Sequence, residues 1–314
     1  MDPTLSGLAG QTILITGADG MLGRAFQNVL SESGVPCSVE ACDHQALDVT
    51  DREAVMAHAA GRPNLILHCA ANVDADDCER RQSACREVQV GGTSNVAALA
   101  AICGSRVFFP QSVFIFDGRE LPVTEETTPS PGMAYGRWKL EAEQALCAAL
   151  PQSLVVRMAG FFGGEEKDKN FVGKFTHLLR GMLQRDERRC EVGARIWQPT
   201  FTIDLAHNSL MLLARGCTGV YHMGALDEAS FFDVARACVE SLGLDRCIEV
   251  VRGAPESEVG EPARRPWRMV TANARLDREG LNRQRPWREA LREYMARAYF
   301  DDLRRPSHHD TSAV

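Results

Sequence analysis

The sequence predicts an α/β protein with a doubly wound parallel sheet and a smaller C-terminal lobe. Three observations predict this fold class. From residue 11 to about residue 157, short apolar runs alternate with longer segments of helical periodicity, as βαβ units require. A glycine-rich turn follows the first apolar run directly. The length of 314 residues exceeds the usual size of one domain, so an added lobe is expected.

The order of the elements follows from the pattern of apolar residues. Buried strands are predicted at 12–16, 38–42, 65–69, 106–109 and 154–157. Helices are predicted at 21–32 and 88–103, and a helix at 204–214 and a strand at 219–223 are suited to rejoining the sheet. We therefore expect a first domain of residues 1–158, rejoined by about 200–224, a lobe of residues 159–199 and 225–303, and a disordered tail at 304–314.

The composition is that of an ordinary globular protein, with 45% hydrophobic and 25% charged residues. The net charge of -7 argues against general binding to nucleic acid or to an anionic membrane, because both need a basic face. No apolar run approaches the length of a membrane-spanning helix. The eleven cysteines show neither a CxxC pair nor a metal-ligand spacing. We therefore expect reduced packing cysteines, no metal site and a cytoplasmic location.

A glycine turn connects the first predicted strand to the first predicted helix. Its GxxGxxG pattern places Gly17, Gly20 and Gly23 where the backbone turns tightly. Such a turn lets the backbone approach a pyrophosphate, which the free N–H groups at the start of the helix bind. The pattern and its context predict a Rossmann-type dinucleotide site.

An acidic residue, Asp43, follows the second predicted strand about twenty residues after the glycine turn. A carboxylate at this place can bond the adenosine ribose hydroxyls and would repel a 2′-phosphate, which favours NADH. Arg24 and His44 could offset that repulsion. The sequence therefore leaves the choice between NADH and NADPH open.

Tyr135 and Lys139 are four residues apart in a segment of strong helical propensity, so both project from one helix face. An ammonium beside a phenol stabilises the phenolate, so we expect Lys139 to lower the pKa of Tyr135 towards neutrality. Ser112 stands at the end of the preceding strand and is placed to bond a substrate carbonyl. These three residues are the predicted catalytic set.

The chain resembles the extended short-chain dehydrogenases, and within them the dTDP-4-dehydrorhamnose reductase family, nearly from end to end. The motifs that carry the resemblance are TGADGMLGRA at 16–25, LDVTD at 47–51, HCAANVDADDCE at 68–79, FDG at 116–118, YGRWKLEAE at 135–143, QPTFTIDLA at 198–206, GVYHMG at 219–224 and RLD at 275–277.

The resemblance implies hydride transfer from NADPH or NADH to the C4 ketone of a nucleotide-linked, dTDP-type 4-keto-6-deoxysugar, with Tyr135 supplying the proton. It makes the C-terminal lobe the substrate-binding part and suggests a homodimer. Besides the catalytic set, it assigns the cofactor to Gly17, Asp19, Gly20, Met21, Leu22, Gly23, Asp43, Asp48, Val49, Cys69, Ala70 and Ala71. It assigns the substrate to Val73, Phe114, Trp197 and Arg275.

Two departures from the family pattern concern the predicted active site. Val113 replaces the acid that follows the family hydroxyl residue, and Phe114 replaces a tyrosine. Gln89 replaces a family asparagine, which puts the usual ordering of Lys139 through a helix kink and a water in question.

Two alternatives remain open at the level of sequence. A sugar-nucleotide epimerase shares the serine, tyrosine and lysine but regenerates its cofactor. A regulatory subunit resembling the β subunit of methionine adenosyltransferase binds the dinucleotide without turning it over. Net consumption of reduced cofactor separates the reductase from both.

Overall fold

The computed structural model describes residues 1–253 and 262–304 of the chain. Apart from Arg304, the predicted tail 304–314 lies outside the described residues.

The centre of the molecule is a six-stranded parallel sheet. Its strands are β1 (Thr12–Thr16), β2 (Ser38–Cys42), β3 (Leu65–His68), β4 (Arg106–Ser112), β5 (Leu154–Met158) and β10 (Gly219–Met223). They lie in the order β10-β5-β4-β3-β1-β2, so the winding direction reverses between β1 and β3. In doubly wound sheets, ligands bind outside the carboxyl ends of the strands at such a reversal.

Helices cover both faces of this sheet. On one face, α1 (Met21–Ser33) packs beside α8 (Thr202–Ala214) over an apolar cluster that includes Ile15, Phe26 and Phe108. On the other face lie α2 (Arg52–Ala57), α5 (Gly92–Cys103) and α6 (Ala134–Ala149). The sheet is therefore buried on both sides, as its nearly continuous apolar strands require.

A second apolar cluster forms the lobe, away from the sheet. Its core helices are α7 (Phe171–Gln184), α9 (Phe231–Ser241) and α11 (Trp287–Met295). Short strand pairs border it: β6 (Phe161–Phe162) with β9 (Thr200–Phe201), β7 (Arg189–Val192) with β12 (Glu249–Arg252), and β8 (Ile196–Trp197) with β11 (Ala229–Ser230). The remaining α-helices are α3 (Ala75–Arg80), α4 (Gln82–Arg86), α10 (Ala274–Arg278) and α12 (Asp301–Arg304). The chain enters the lobe after β5, returns for β10 and then re-enters it.

The structure confirms the α/β class and the predicted bounds of β1, β2 and β10. β4 is three residues longer than predicted and ends at Ser112. The helix predicted at 88–103 was wrong at its start, because residues Glu87–Gly91 form a π-helical turn before α5.

The expectation that every cysteine is reduced was wrong for one pair. Cys78 on α3 and Cys85 on α4 form a disulfide, with their Cα atoms 5.2 Å apart. Both side chains are buried against Tyr135 and Met133. The other nine cysteines are free. Within residues 1–253 and 262–304, no helix has the length and apolar character needed to cross a membrane.

Candidate active site

The glycine turn lies where the sheet reverses direction. Gly17 follows β1 with a φ of 64°, in the left-handed region that favours glycine. A Cβ at Gly17 would lie 2.6 Å from the backbone nitrogen of Ala70, so no side chain fits between the turn and the segment that follows β3. On the other side, the N–H of Ala18 donates to the carbonyl of Cys42 at the end of β2. The turn thus contacts both neighbouring strands.

The start of α1 suits an anion. Gly20 is the N-cap residue and makes no side-chain capping bond, and the first turn contains no acidic residue. The first N–H groups of the helix therefore lack a side-chain acceptor, and they coincide with the positive end of the helix dipole. Gly23 keeps this turn tight, since a Cβ there would lie 2.5 Å from the carbonyl oxygen of Gly17. These residues fit the pyrophosphate of a dinucleotide.

Ser112 and Tyr135 meet at the carboxyl edge of the sheet. Ser112 ends β4, and Tyr135 lies in the first turn of α6 with 9% of its surface exposed. The Ser112 side chain is close enough to Tyr135 to influence its pKa. Burial raises the pKa of the Tyr135 phenol to about 12, and the neighbouring Ser112 hydroxyl opposes that shift. Tyr135 therefore carries its proton at neutral pH.

Gly136 is the reason that α6 approaches β4 closely enough for this contact. A Cβ at Gly136 would lie 2.1 Å from the carbonyl oxygen of Phe114, in the 3-10 turn that follows β4. Sequence analysis did not single out this residue, although it stands between Tyr135 and Lys139 in the motif.

Lys139 is buried one helical turn beyond Tyr135. Its Nζ donates to the carbonyl of Pro110 at 2.7 Å and lies 3.9 Å from the centre of the Phe109 ring. Burial lowers the pKa of Lys139 to about 7, and the carboxylate of Glu143 partly opposes that shift. The expectation that Lys139 lowers the pKa of Tyr135 was wrong, because burial dominates the Tyr135 phenol and the lysine is engaged with β4.

A buried polar network behind these residues was missed by sequence analysis. The Nε2 of Gln111 donates to Glu143 at 2.7 Å and to the carbonyl of Lys139 at 2.9 Å. The Oε1 of Gln111 accepts from the N–H of Ser112. Glu143 also pairs with Arg157 of β5 at 2.5 Å. This network fixes the backbone of Ser112 relative to α6.

The residues assigned to the adenosine side line the ends of β2 and the following loop. Asp43 accepts hydrogen bonds from the backbone of Gln45 and Ala46 through Oδ1. Asp48 caps its own turn by accepting from Thr50. Val49 is buried against the start of α5. Each of the two carboxylates therefore uses its Oδ1 to bond nearby residues of the loop.

The remaining cofactor positions flank the cleft. Met21 and Leu22 begin α1, where the Sδ of Met21 accepts from Asn170 of the lobe at 3.8 Å. Asp19 lies 3.6 Å from Lys167, also of the lobe. Cys69, Ala70 and Ala71 follow β3 directly, next to the glycine turn. The lobe thus meets the nucleotide-binding turn at its rim.

Three of the four residues assigned to the substrate lie on the carboxyl side of the sheet. Val73 is 62% exposed after β3, and Phe114 packs beside Tyr135. The Trp197 ring covers Gly160, just beyond β5, where a Cβ would lie 2.7 Å from the ring. Its Nε1 is buried without a hydrogen-bond partner among the described residues.

Arg275 was assigned wrongly. Its guanidinium donates to the carbonyls of Thr218 and Val220, at the amino end of β10, and stacks on Tyr221. That end of the sheet is opposite to the one at which Ser112 and Tyr135 lie. Arg275 therefore anchors α10 to β10.

In the described part of the chain, one group has three side chains of metal-binding type close together, namely Glu40, Cys42 and His58. His58 is already bonded to Glu40 at 2.9 Å. Glu40 and Cys42 lie on β2, His58 lies in the turn after α2, and the group does not include any of the predicted catalytic residues.

A Rossmann-type sheet with a glycine turn at its reversal and a serine, tyrosine and lysine at its carboxyl edge defines a short-chain dehydrogenase/reductase. The family model described as "RmlD substrate binding domain" matches residues 11–300. The chain belongs to this family, the dTDP-4-dehydrorhamnose reductases of the extended short-chain class.

Individual relatives agree with this assignment. A dTDP-4-keto-6-deoxy-D-glucose reductase of Streptomyces niveus is 34% identical over 281 residues, which cover 88% of this chain and 94% of the relative. The crystal structure of a dTDP-4-dehydrorhamnose reductase from Bacillus anthracis in complex with NADP has a TM-score of 0.83 at 25% identity, and the match covers 91% of this chain and 99% of that one. The methionine adenosyltransferase 2 subunit beta of Xenopus tropicalis is 27% identical, and the match covers 91% of this chain and 87% of the relative.

Proposed function

We propose that the protein reduces the C4 ketone of a nucleotide-linked, dTDP-type 4-keto-6-deoxysugar, with NADPH or NADH as the reductant. The observation that carries the proposal is that Ser112, at the end of β4, and Tyr135, at the start of α6, lie close together at the carboxyl edge of the sheet, the edge at which the glycine turn also lies. The names of the Streptomyces niveus and Bacillus anthracis relatives supply the substrate class and the NADP cofactor.

Tyr135 has the protonation state that reduction requires. Because the pKa of its phenol is raised to about 12, Tyr135 arrives at the reaction protonated and donates to the ketone oxygen. When bound, the reduced nicotinamide supplies the hydride that enters the carbonyl carbon. Ser112 bonds the same oxygen and holds it against Tyr135. The products are a secondary alcohol and a phenolate at Tyr135.

Lys139 restores the neutral phenol. It is one helical turn from Tyr135, and its pKa of about 7 lets it hold or release a proton near neutral pH. We assign Lys139 to returning a proton to the phenolate after the transfer and to hydrogen-bonding the nicotinamide ribose.

The backbone of the chain would hold the pyrophosphate of the cofactor, and side chains would hold the adenosine and nicotinamide ends of the dinucleotide. The N–H groups at the start of α1 would bind the pyrophosphate, and Cys69, Ala70 and Ala71 would form the floor of the cleft. Asp43 keeps Oδ2 available for the adenosine ribose.

For the substrate, the unpartnered Nε1 of Trp197 is a hydrogen-bond donor in a half-buried aromatic wall with Phe171 and Phe231. An apolar ring face beside one donor suits a deoxysugar, which has a methyl group and few hydroxyls. Phe114, beside Tyr135, and the exposed Val73, after β3, would add apolar contacts from the sheet side of the cleft.

The test follows reduced-cofactor absorbance with a panel of nucleotide-linked 4-keto sugars, and uses Tyr135→Phe as the diagnostic variant. We expect net oxidation of cofactor by the wild type and a loss of at least about 10²-fold in kcat for the variant, with dinucleotide affinity nearly unchanged. A collapse of dinucleotide binding in Tyr135→Phe would contradict the assigned role.

The likeness to the β subunit of methionine adenosyltransferase supports a second candidate, a regulatory dinucleotide-binding subunit. Tight dinucleotide binding without turnover on any sugar in the panel would favour it. Interconversion of sugar epimers without net cofactor oxidation would favour the epimerase instead.

We also propose a homodimer formed through α5 and α6, which lie side by side on one face of the sheet. Ile102, at the end of α5, is 65% exposed, which supports a partner on this face. The molar mass in solution, compared between the wild type and Ile102→Glu, tests this.

The nine free cysteines support a cytoplasmic location, in which thiols stay reduced. The remaining two cysteines, Cys78 and Cys85, form the disulfide and do not follow this pattern.

A further inference from the structure

A chain of buried hydrogen bonds crosses the structure beneath the proposed cofactor cleft. Its side chains are Thr16 at the end of β1, His68 at the end of β3, Thr93 on α5 and Gln89 in the π-helical turn. None of them is more than 2% exposed. The proposed reaction assigns no role to any of the four.

The direction of each bond follows from the donors available. The Thr93 hydroxyl donates to the carbonyl of Gln89 at 2.6 Å, and a hydroxyl has one hydrogen. At its 3.1 Å contact with His68, Thr93 must therefore accept from Nε2–H. In a neutral imidazole the other nitrogen is then an acceptor, so the Thr16 hydroxyl donates to Nδ1 at 2.9 Å.

Both ends of this chain hold the segment that follows β3. At one end, Thr16 Oγ1 accepts from the N–H of Ala70 at 3.2 Å. At the other end, the Gln89 side chain donates to the carbonyl of Asn72 at 2.6 Å. Ala70 is also the residue whose backbone abuts Gly17. The chain thus sets the position of residues 69–72 relative to the glycine turn.

The surroundings keep His68 neutral, as this arrangement needs. Burial lowers the pKa of His68 to about 3, and the nearby charge of Lys139 acts in the same direction. A protonated ring would have two donors and could not accept from Thr16.

We propose that His68, Thr93 and Gln89 are positioning residues for dinucleotide binding, acting through residues 69–72. The replacement of a family asparagine by Gln89 then has a specific consequence: in this chain the side chain at that position holds Asn72, while Lys139 bonds Pro110 directly. The inference rests on the proposed use of this cleft for a nicotinamide dinucleotide.

The test measures the Kd for NADPH by the fluorescence of the reduced nicotinamide, without any sugar present. Thr93→Val removes the hydroxyl at nearly constant volume and should raise the Kd by about fivefold to tenfold. Thr93→Ser keeps the hydroxyl and should stay within about twofold of the wild type. Gln89→Met, which loses only the bond to Asn72, should also weaken binding.

Thr176→Val is the matched control for lost stability. Thr176 is equally buried and donates to the carbonyl of Gly173, but it lies in α7 of the lobe. It should lower Tm without moving the Kd. If Thr93→Val does not fold, Gln89→Met decides the matter alone.

Three results would overturn the inference. The first is a wild-type Kd for NADPH in both Thr93→Val and Gln89→Met, and the second is an equal rise in Kd in Thr93→Ser and Thr93→Val. The third is a rise in Kd in Thr176→Val as large as that in Thr93→Val and Gln89→Met. A wild type that binds NADPH but reduces no sugar would refute the proposed reaction and leave this test intact. A wild type that binds no dinucleotide would refute both.

Discussion

The side chain of Gln111 donates to the backbone carbonyl of Lys139 at 2.9 Å, and so ties the end of β4 to the middle of α6. The same side chain accepts from the N–H of Ser112. One amide therefore fixes the two elements from which the hydroxyl pair of Ser112 and Tyr135 is built.

Replacing Gln111 with leucine should lower both stability and kcat. The change removes a bond to the buried Glu143 carboxylate and takes the side-chain acceptor from the Ser112 N–H, which costs about 1–3 kcal/mol. Urea unfolding and steady-state kinetics measure the two effects. Gln284→Leu is the control, since Gln284 is equally buried but bonds the backbone of Asp204 in α8. An equal loss of kcat in both variants would show that Gln111 has no special link to the site.

Gly136→Ala should separate Tyr135 from Ser112. The added Cβ would lie 2.1 Å from the carbonyl of Phe114, and neither backbone can yield without moving α6 from β4. We expect kcat to fall by more than about tenfold, because misplacement of about 1 Å is costly in an active site. Gly132→Ala is the control, since among the described residues no atom beyond its chain neighbours lies within 4 Å of its Cβ position. Wild-type kcat in Gly136→Ala would show that α6 does not depend on Gly136 for its close packing against the turn after β4.

Stability should depend on pH through Lys139. The pKa of this lysine is about 7 in the folded protein and 10.5 ordinarily, so between these values the unfolded chain binds more protons. The free energy of unfolding contributed by Lys139 therefore rises with pH above about 7 and is constant below it.

Lys139→Met isolates this contribution. The wild type should gain stability relative to the variant by up to about 3 kcal/mol between pH 7 and about 9.5, as measured by urea unfolding. The exposed Lys174, changed to Met, should show no such trend. A difference between wild type and Lys139→Met that stays flat over this window would mean that the buried amine is charged throughout.

The parts of the fold that follow from local periodicity could be predicted from the sequence. β1 and β2 have their predicted bounds, and the i, i+4 spacing places Tyr135 and Lys139 on one face of α6. The polar network could not be predicted, because Gln111, Glu143 and Arg157 meet only through the register of β4 with β5 and the packing of α6. The prediction for Arg275 failed for a related reason. Its motif is local in sequence, but the edge of the sheet that Arg275 contacts depends on where α10 packs against β10 in the folded chain.

Arg157→Met should destabilise the protein by about 3–5 kcal/mol, because it leaves the Glu143 carboxylate buried and unpaired by charge. The side chains of the pair are 8% and 7% exposed, and Gln111 alone cannot replace the guanidinium. Arg236→Met is the control: its partner Glu240 is 51% exposed, so a loss under about 1 kcal/mol is expected.

The double variant Arg157→Met, Glu143→Met removes both charges and should recover most of the free energy of unfolding, because two apolar side chains of similar length need no compensating charge. If the double variant is as unstable as Arg157→Met alone, the cost comes from lost packing and not from the buried charge. In that case kcat should be equally low in the single and the double variant. A double variant that regains its stability still lacks Glu143, the acceptor that orients Gln111.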